Sequence, residues 1–495
     1  MVFNSLEFLI FYPAVLILYF LVPTKFRWIL LLAASYYFYL SWNVELVFLI
    51  VFTTVISYCA ALAIEKSPKK SLRKLCLAAT LVCSLGVLLF YKYFDFLAGS
   101  VISAATLFGA KLEPFSLGLI LPVGISFYTF QTLSYVIDVY RGNITAERHF
   151  GYYALYVSFF PQLVAGPIER PENLIPQLRE DHRFNRDDTR EGIRMMLIGF
   201  FKKIAVADLC AAYVVPVYSD PSAANGPAVL LATVLFAFQI YGDFAGYTDI
   251  AIGCARVMGI RLMKNFDRPY TAESIKEFWA RWHISLSSWF RDYLYIPLGG
   301  NRCSRARHLL NLMTVFLVSG LWHGAAWTYV LWGFLHGMYQ VVGILTKKLR
   351  AGAYAALRID PDSKPAHIWR RAVTFALVSF AWIFFRAGSI GDLGILLGKL
   401  FTAWQPGEAF ASAFDLMRLD LPGAAAVIAA IAVMCLLDRN GLASPASDST
   451  ELTGRRAATE TIKYASLIWA IAFAWLVLLE GNGASSFIYF QFWIL

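Results

Sequence analysis

The sequence is dominated by a long series of apolar runs, each about as long as a bilayer is thick. A spanning helix needs about 20 apolar residues, because the hydrocarbon core is about 30 Å thick and each helical residue rises about 1.5 Å. Runs of roughly this length lie at 6–22, 28–41, 45–64, 75–95, 115–137, 194–216, 227–242, 311–330, 327–346, 372–386, 421–437 and 464–480. Shorter runs near 151–166, 247–260 and 387–402 are spans, half-spans or buried segments. We predict an all-α, polytopic integral membrane protein with about 11–13 transmembrane helices plus re-entrant or interfacial helices.

Composition excludes the other broad classes of protein. The chain is 59% hydrophobic and only 15% charged, whereas soluble proteins carry about 25% charged residues. Its aromatic content of 16% is a burial load that disordered chains lack. The longest polar stretches, 168–193, 347–371 and 438–463, are too short to form soluble domains. We therefore expect residues 1–495 to form a single integral membrane domain surrounded by lipid.

The basic charge is best explained by membrane orientation. Lys and Arg number 43 against 33 acidic residues, a net charge of +10, and they lie between apolar runs, where they favour the cytoplasmic side. The basic loop 65–74 is thereby predicted to be cytoplasmic and the amino terminus extracytoplasmic. The same count puts 141–149 and 168–193 inside, so 151–166 cannot be one full crossing and is predicted to be re-entrant or interfacial. No nucleic-acid-binding motif is present, and no nucleic-acid partner is expected.

Cysteine usage gives no sign of a disulfide framework or a metal site. The chain has seven cysteines and no C-x-x-C pair. A structural zinc site would need clustered ligands, so no metal is expected.

Residues 277–302 do not fit the membrane pattern, because they are too charged to face lipid and too aromatic for an ordinary loop. Their sequence is EFWARWHISLSSWFRDYLYIPLGGNR. Helical spacing at about 100° per residue would place one set of side chains on one face and a second set opposite. The first set is Phe278, Trp282, Ser285 and Trp289, and the second is Lys276, His283, Ser287 and Arg291. Two interpretations remain open: an interfacial amphipathic helix, or a helix that presents an imidazole, a hydroxyl and a guanidinium to a cavity.

The next stretch, 309–346, has no charged residue but contains two histidines, His323 and His336. An ionisable group inside a membrane is costly and suggests a function. The two are 13 residues apart, about 20 Å along a straight helix, so they could share a substrate atom only if the chain turns between them. We expect His336 to donate a hydrogen bond to a neighbouring helix. Two interpretations of His323 remain open. It is either a core histidine whose hydrogen bonds are satisfied, or a general base, since burial lowers the pKa of an imidazole and keeps the ring neutral.

Two further polar clusters interrupt apolar sequence. One contains Asp243, Tyr247 and Asp249, and the other is a Gly-Pro break within 162–170. Either cluster could line a cavity. Each could equally be structural, with its acids paired to Arg170, Arg281 or Arg291.

Together these motifs resemble the membrane-bound O-acyltransferases, in particular the bacterial branch that includes alginate O-acetyltransferases. The resemblance runs from the first residues to about Gln340 and is carried by specific stretches: LPVGISFY from Leu121, YVIDVYRG from Tyr135, 162–167, DFAGYTD from Asp243, Asn265-Phe, 278–300 and 320–325.

The resemblance implies a fold around a central funnel or tunnel, with 265–345 as the catalytic core segment. By matching motif, His323 and His283 are the expected catalytic histidines. The expected substrate-contacting or tunnel-lining residues are Trp322, Ser287, Arg291, Tyr247, Asp243, Asp249 and Arg281.

The resemblance also implies a reaction. The enzyme would take acetyl from a cytosolic donor, acetyl-CoA, with no tightly bound cofactor. It would deliver the acetyl to an extracytoplasmic partner protein or glycan, for O-acetylation of an alginate-like or cell-wall polysaccharide at the bacterial inner membrane. Five arginines favour CoA, whose phosphates need a basic pocket: Arg281, Arg291, Arg302, Arg305 and Arg307. The alternatives are D-alanyl transfer to teichoic acid from a carrier-protein thioester, a transporter, and a non-catalytic scaffold.

Overall fold

A computed structural model describes residues 1–439 except 43, 45, 114 and 405–408, and within this part the chain forms helices, turns and loops with no strand. The described residues fall into two compact units. The first unit comprises 1–196 and 247–263, and the second comprises 197–246 and 264–439. The predicted span 464–480, and nearly all of the polar stretch 438–463, lie outside the described residues.

The helices of the first unit are α1 (Leu6–Leu21), α2 (Thr24–Leu40), α3 (Val47–Lys66), α4 (Lys70–Leu88), α5 (Phe94–Leu107), α6 (Ile125–Arg141), α7 (Phe150–Ser158) and α8 (Pro171–Arg179). Helices α9 (Arg186–Phe200) and α11 (Gly226–Val257) contribute residues to both units. The second unit adds α10 (Leu209–Ser219), α12 (Ile275–Arg281), α13 (Ile284–Phe290), α14 (Arg305–His323), α15 (Trp327–Leu345), α16 (Lys347–Ala356), α17 (Lys364–Arg386), α18 (Ile390–Thr402), α19 (Ala409–Met417) and α20 (Leu421–Arg439). Wider, π-type turns occupy 89–93, 201–208 and 291–295.

Several of these helices can cross a bilayer by length and composition. Among the described residues they are Val47–Lys66, Lys70–Leu107, Gly226–Val257, Lys364–Arg386 and Leu421–Arg439, and Leu6–Leu21 is a shorter apolar helix. The protein is thus a multi-pass helical membrane protein, as predicted. The total of 11–13 spans stays a prediction.

Two apolar runs of the sequence have helix boundaries that differ from the predicted ones. The short run 247–260 is not a separate segment, because it continues the 32-residue helix α11. The run 115–137 becomes helical only at Ile125, after Gly124 adopts a left-handed conformation with φ 75°. A Cβ at this glycine would lie less than 3.0 Å from the Leu163 carbonyl oxygen, so the close approach requires glycine.

The segment 151–166 is a nine-residue helix, α7, followed by buried turns. Nine residues are too few for a crossing, in agreement with the prediction. The buried backbone is satisfied by protein: Gln131 and Gln162 both donate from Nε2 to the Tyr156 carbonyl, at 2.7 and 3.0 Å. Internal bonding of this kind is what irregular backbone needs when water is absent.

In the second unit, α14 and α15 form a tightly packed hairpin. A Cβ on Gly320 would lie less than 3.0 Å from the Tyr329 carbonyl oxygen, and one on Gly333 equally close to the Phe316 carbonyl oxygen. Backbone therefore touches backbone where the two helices cross, which only glycine allows. The chain turns at 324–326 between the two helices, so His323 and His336 do not lie on one straight helix.

Candidate active site

The amphipathic segment is broken at its centre. Sequence spacing predicted one helix through 277–296, but α12 ends at Arg281, His283 is left-handed with φ 45° and ψ 55°, and α13 begins at Ile284. The preceding loop holds the break: Ile284 N donates to the Asn265 carbonyl, and Asp267 N donates to the Arg281 carbonyl, both at 2.9 Å. The prediction of one continuous helix with two opposite faces was wrong, because these bonds fix a conformation that helical spacing does not describe.

The break places the His283 ring inside the protein. The residue has 0% relative exposure, and its Nδ1 lies 3.0 Å from the Asn265 side-chain oxygen. Its ring meets Phe244 edge-on with centroids 4.7 Å apart, and Trp322 with centroids 5.9 Å apart. His283 is therefore a buried, oriented imidazole and not part of a solvated face.

His323 is the last residue of α14 and is also oriented by a hydrogen bond. Its Nδ1 lies 2.7 Å from the Ser319 carbonyl oxygen. A carbonyl only accepts, so Nδ1 carries the proton, and Nε2 is the nitrogen that can accept one. The residue keeps 7% exposure. The helix C-terminus also favours positive charge on this ring, as a general base needs after it takes a proton.

The structure brings the two histidines together around Trp322. The Trp322 ring is 5.9 Å from His283 and 4.9 Å from His323, centroid to centroid. Trp322 itself is buried, at 2% exposure. This pair of imidazoles is the candidate active site.

His336 forms a hydrogen bond to a neighbouring helix, as expected, but it is the acceptor of that bond and not the donor. Its Nδ1 lies 3.2 Å from the indole nitrogen of Trp279. Since an indole N–H only donates, His336 accepts this bond, whereas the sequence predicted that it would donate one. The bond joins α15 to α12. Trp332 lies between the two histidine rings of the hairpin, 4.8 Å from His323 and 4.9 Å from His336.

The structure places three other predicted residues around the break. Ser287 donates to the Trp282 carbonyl at 3.3 Å. The Arg291 side chain is 63% exposed and pairs with its neighbour Asp292 at 2.7 Å, so it does not share a face with the buried His283. That expectation failed because the helix was not continuous. Arg281 pairs with Glu277 at 2.6 Å.

Asp243 belongs to a buried ion cluster. Lys203 contacts Asp243 at 2.7 Å and Asp208 at 2.8 Å, and all three side chains are at most 2% exposed. The acid thus pairs with a lysine of the wide turn 201–208, a partner that the sequence did not predict. Tyr247 and Asp249 belong to the first unit, where both are buried and the Tyr247 ring stacks on Phe3 at 4.5 Å.

A cavity of about 600 Å³ opens on the second unit near the break. Its lining residues are Phe238, Tyr241, Arg268, Pro269, Tyr270, Thr271, Glu273, Glu277, Arg281, Arg371, Met434, Cys435, Asp438 and Arg439. Of the residues predicted to contact substrate, Arg281 is in this lining. Arg302, Arg305 and Arg307 are exposed in the turn before α14 and at its start.

One acidic residue holds the rim of the cavity. Glu273 accepts from His367 at 2.8 Å, Arg370 at 2.7 Å and Arg371 at 3.0 Å. Burial raises the pKa of this carboxyl, but the bonds from Arg370, His367 and Arg371 outweigh burial and lower the pKa to about 2. Glu273 therefore ties the loop before α12 to α17.

Sequence reasoning missed several residues that build the site. Asn265 appeared only as part of a motif, and neither the Ser319 carbonyl nor the rings of Trp332 and Phe385 were predicted. Phe385 packs against His323 at 5.6 Å. Asn265 lies in the loop after α11, beyond Arg261 and Lys264, and no local pattern marks it as a partner of His283. The aromatic neighbours come from distant helices and leave no local pattern.

A helical membrane protein with two buried, oriented imidazoles is suited to proton transfer and acyl transfer away from water. Known proteins define the class. The model of the membrane-bound O-acyltransferase family matches residues 146–385. A "probable alginate O-acetylase" of Azotobacter vinelandii is 40% identical over 394 residues, covering 79% of this chain and 76% of that protein.

Two further relatives have names that give a different acceptor or a different transferred group from those of the alginate O-acetylase. A peptidoglycan O-acetyltransferase of Helicobacter pylori is 34% identical, over 75% of this chain and 73% of that protein. A teichoic acid D-alanyltransferase of Streptococcus thermophilus is 29% identical, over 55% of this chain and 69% of that protein. The chain belongs to the membrane-bound O-acyltransferase family and is a multi-pass membrane acyltransferase.

Proposed function

We propose that the protein takes an acetyl group from acetyl-CoA on the cytosolic side and delivers it across the membrane, for O-acetylation of an extracytoplasmic polysaccharide. The observation that carries the proposal is the bond from His323 Nδ1 to the Ser319 carbonyl. It leaves Nε2 as the base, in a site that includes a second imidazole. The similarity to an alginate O-acetylase and a peptidoglycan O-acetyltransferase supports acetyl as the transferred group.

In the proposed reaction, Nε2 of His323 accepts the proton of an acceptor hydroxyl while that oxygen attacks the thioester carbonyl carbon. The C–S bond then breaks, and the proton on the imidazolium passes to the departing thiolate, so that CoA leaves as a free thiol. No redox partner is needed. General-base catalysis of this kind typically contributes about 10²–10⁴ in rate.

The arginine-lined cavity supports CoA as the donor. Phosphates are bound preferentially by guanidinium groups, and Arg268, Arg281 and Arg371 all line this cavity. They pair with Asp267, Glu277 and Glu273 in the structure, so CoA phosphates would take the place of these carboxylates. Arg281 and His283 lie on either side of Trp282 in sequence, next to the break, so the cavity and the buried imidazole share one short stretch of chain. CoA would place its phosphates in the cavity and its thioester toward His283 and His323.

The orientation belongs to the same proposal. Loops rich in Lys and Arg favour the cytoplasmic side, which puts the turn at 302–307 inside and the amino terminus outside. The protein would lie in a bacterial inner membrane. The acceptor would be a polysaccharide, or a partner protein that passes acetyl to one, because acyl thioesters do not cross a bilayer unaided.

The test is complementation of a deletion strain, with O-acetyl groups on the surface polysaccharide measured by mass spectrometry. Wild-type protein should restore them. His323→Ala should abolish them at equal protein level, whereas His308→Ala, at the other end of the same helix α14, should restore at least half. Wild-type acetylation by His323→Ala would refute the proposal. D-alanine esters in place of acetyl would also refute it and favour the carrier-protein alternative.

A further inference from the structure

The side-chain oxygen of Asn265 accepts from three donors at once. They are His283 Nδ1 at 3.0 Å, the Ser285 backbone N–H at 3.2 Å and the Ser285 hydroxyl at 2.9 Å. Asn265, His283 and Ser285 are each 0% exposed. A backbone N–H can only donate, so the amide atom facing it must be the oxygen and not the nitrogen.

This identity determines where the proton lies on His283. If the Asn265 atom is an oxygen without hydrogen, then His283 Nδ1 must be the donor in their contact. The neutral ring is therefore protonated on Nδ1 and carries its lone pair on Nε2. His323 has the same tautomer, fixed by a different acceptor, the Ser319 carbonyl.

We propose that Asn265 is a positioning residue that holds His283 in the Nδ1–H tautomer, so that Nε2 of His283 accepts a hydrogen bond from a hydroxyl of the acetyl acceptor. This inference rests on the proposed function. In this tautomer, neutral His283 has no N–H at Nε2. It orients the acceptor and does not act as a donor to the developing oxyanion.

The side chain and the backbone of Asn265 have separable tasks. Its backbone carbonyl accepts from Ile284 N and holds the break in the chain, and a side-chain substitution leaves this bond available. The left-handed backbone of His283 thus keeps its backbone bond in a side-chain variant, but Asn265→Ala also removes the acceptor of the Ser285 backbone N–H. Asn265→Asp keeps that acceptor, so the pair of variants separates the tautomer from the local fold.

Asn265→Asp and Asn265→Ala separate the two roles. Aspartate accepts the same three bonds, but a carboxylate beside an imidazole raises the pKa of the imidazole by about 1–3 units. The acidic limb of the kcat/KM profile for the acceptor should therefore move up by about one pH unit or more. At pH 9, Asn265→Asp should come within about threefold of wild type. Asn265→Ala should stay at least about tenfold lower at every pH, since loss of the correct tautomer is severe.

Asn311→Ala is the matched control. Asn311 is also a buried asparagine, and its amide donates to the Leu298 and Gly300 carbonyls at 3.2 and 3.1 Å. Its loss should lower thermal stability without moving the pH profile. In Asn265→Ala, KM for acetyl-CoA should stay unchanged while kcat/KM for the acceptor falls. If both Asn265 variants lose only stability and keep the wild-type pH limb, the positioning role is wrong.

A second readout does not depend on acetyl transfer. Solid-state ¹⁵N NMR of histidine-labelled protein, with the His283 signal assigned by its loss in His283→Gln, should show a protonated Nδ1 and an unprotonated Nε2. Asn265→Ala should give a mixture of tautomers. A protonated Nε2 in the wild-type protein would overturn this inference and leave the proposed function standing. Absence of acetyl transfer by wild type with the NMR result intact would overturn the proposed function instead.

Discussion

Two histidines of one helical hairpin show how a single hydrogen bond determines what an imidazole can do. His323 donates from Nδ1 to a carbonyl, so its Nε2 is basic. His336 accepts at Nδ1 from Trp279, so its proton lies on Nε2. The residue type is the same, and both rings touch Trp332. Only the hydrogen-bond partner differs, and under the proposed function this difference makes His323 the base and His336 a packing residue.

This difference predicts opposite effects of the same substitution. His336→Phe removes the acceptor for the buried Trp279 N–H and should lower the free energy of unfolding by about 1–3 kcal/mol. The folded fraction should keep acetyl transfer within a few-fold. His323→Phe should abolish transfer. Thermal melts and initial rates of both variants check this, and loss of transfer per folded molecule in His336→Phe would contradict it.

At the scale of elements, sequence periodicity predicted most helices well but failed in the segment 277–296. Long apolar runs have one solution in a membrane, so the helices α3, α15 and α20 follow them closely. The break at His283 is made by backbone bonds to 265–267, which are distant in sequence, and neither proline nor glycine marks it. The two candidate histidines could be named from sequence: His323 because an ionisable group stands out in an apolar run, and His283 because its motif resembles that of the family. Their partners, Asn265 and the Ser319 carbonyl, could not.

The crossing of α14 and α15 gives a prediction for the hairpin. A methyl group on Gly320 would press against the Tyr329 carbonyl, whereas one on Gly343 of α15 meets nothing within 4 Å. Gly320→Ala should therefore lower the free energy of unfolding by about 1–3 kcal/mol by forcing the helices apart. Gly343→Ala should be neutral or slightly stabilising. Equal melting temperatures for the two variants would mean that the helices do not cross at Gly320.

The Glu273 cluster predicts a pH dependence for the tie between α17 and the loop before α12. The pKa of this carboxyl falls from 4.5 to about 2 in the folded protein. Its stabilising effect is therefore complete above pH 4.5 and is lost as the pH falls toward 2. Glu273→Gln should lower the melting temperature at pH 7, and its difference from wild type should shrink between pH 4.5 and pH 3. Glu172→Gln, at an exposed position, controls for the loss of one acidic side chain. If the melting temperature of Glu273→Gln stayed below that of wild type by the same amount at every pH, the prediction would be contradicted.

At the scale of the whole molecule, the positive charge of the loops predicts which ends face the cytosol. Cys303 is exposed in the basic turn before α14, and Ser222 is exposed in the turn between α10 and α11. With the other six cysteines replaced by serine, a membrane-impermeant maleimide should label Cys303 in inside-out vesicles only. Ser222→Cys, placed in a background with all seven cysteines replaced, should be labelled in right-side-out vesicles only. Labelling of both positions from the same side would contradict the predicted orientation.

The most direct test of the central claim uses purified protein in proteoliposomes with [¹⁴C]acetyl-CoA and a polysaccharide acceptor on opposite sides of the membrane. Wild-type protein should produce labelled O-acetyl groups on the acceptor, and the rate should fall by at least about 10² in His323→Gln, which loses the base. His308→Gln should transfer at the wild-type rate. Equal rates of transfer in wild type and His323→Gln would show that the imidazole at position 323 is not the base, and would contradict this account.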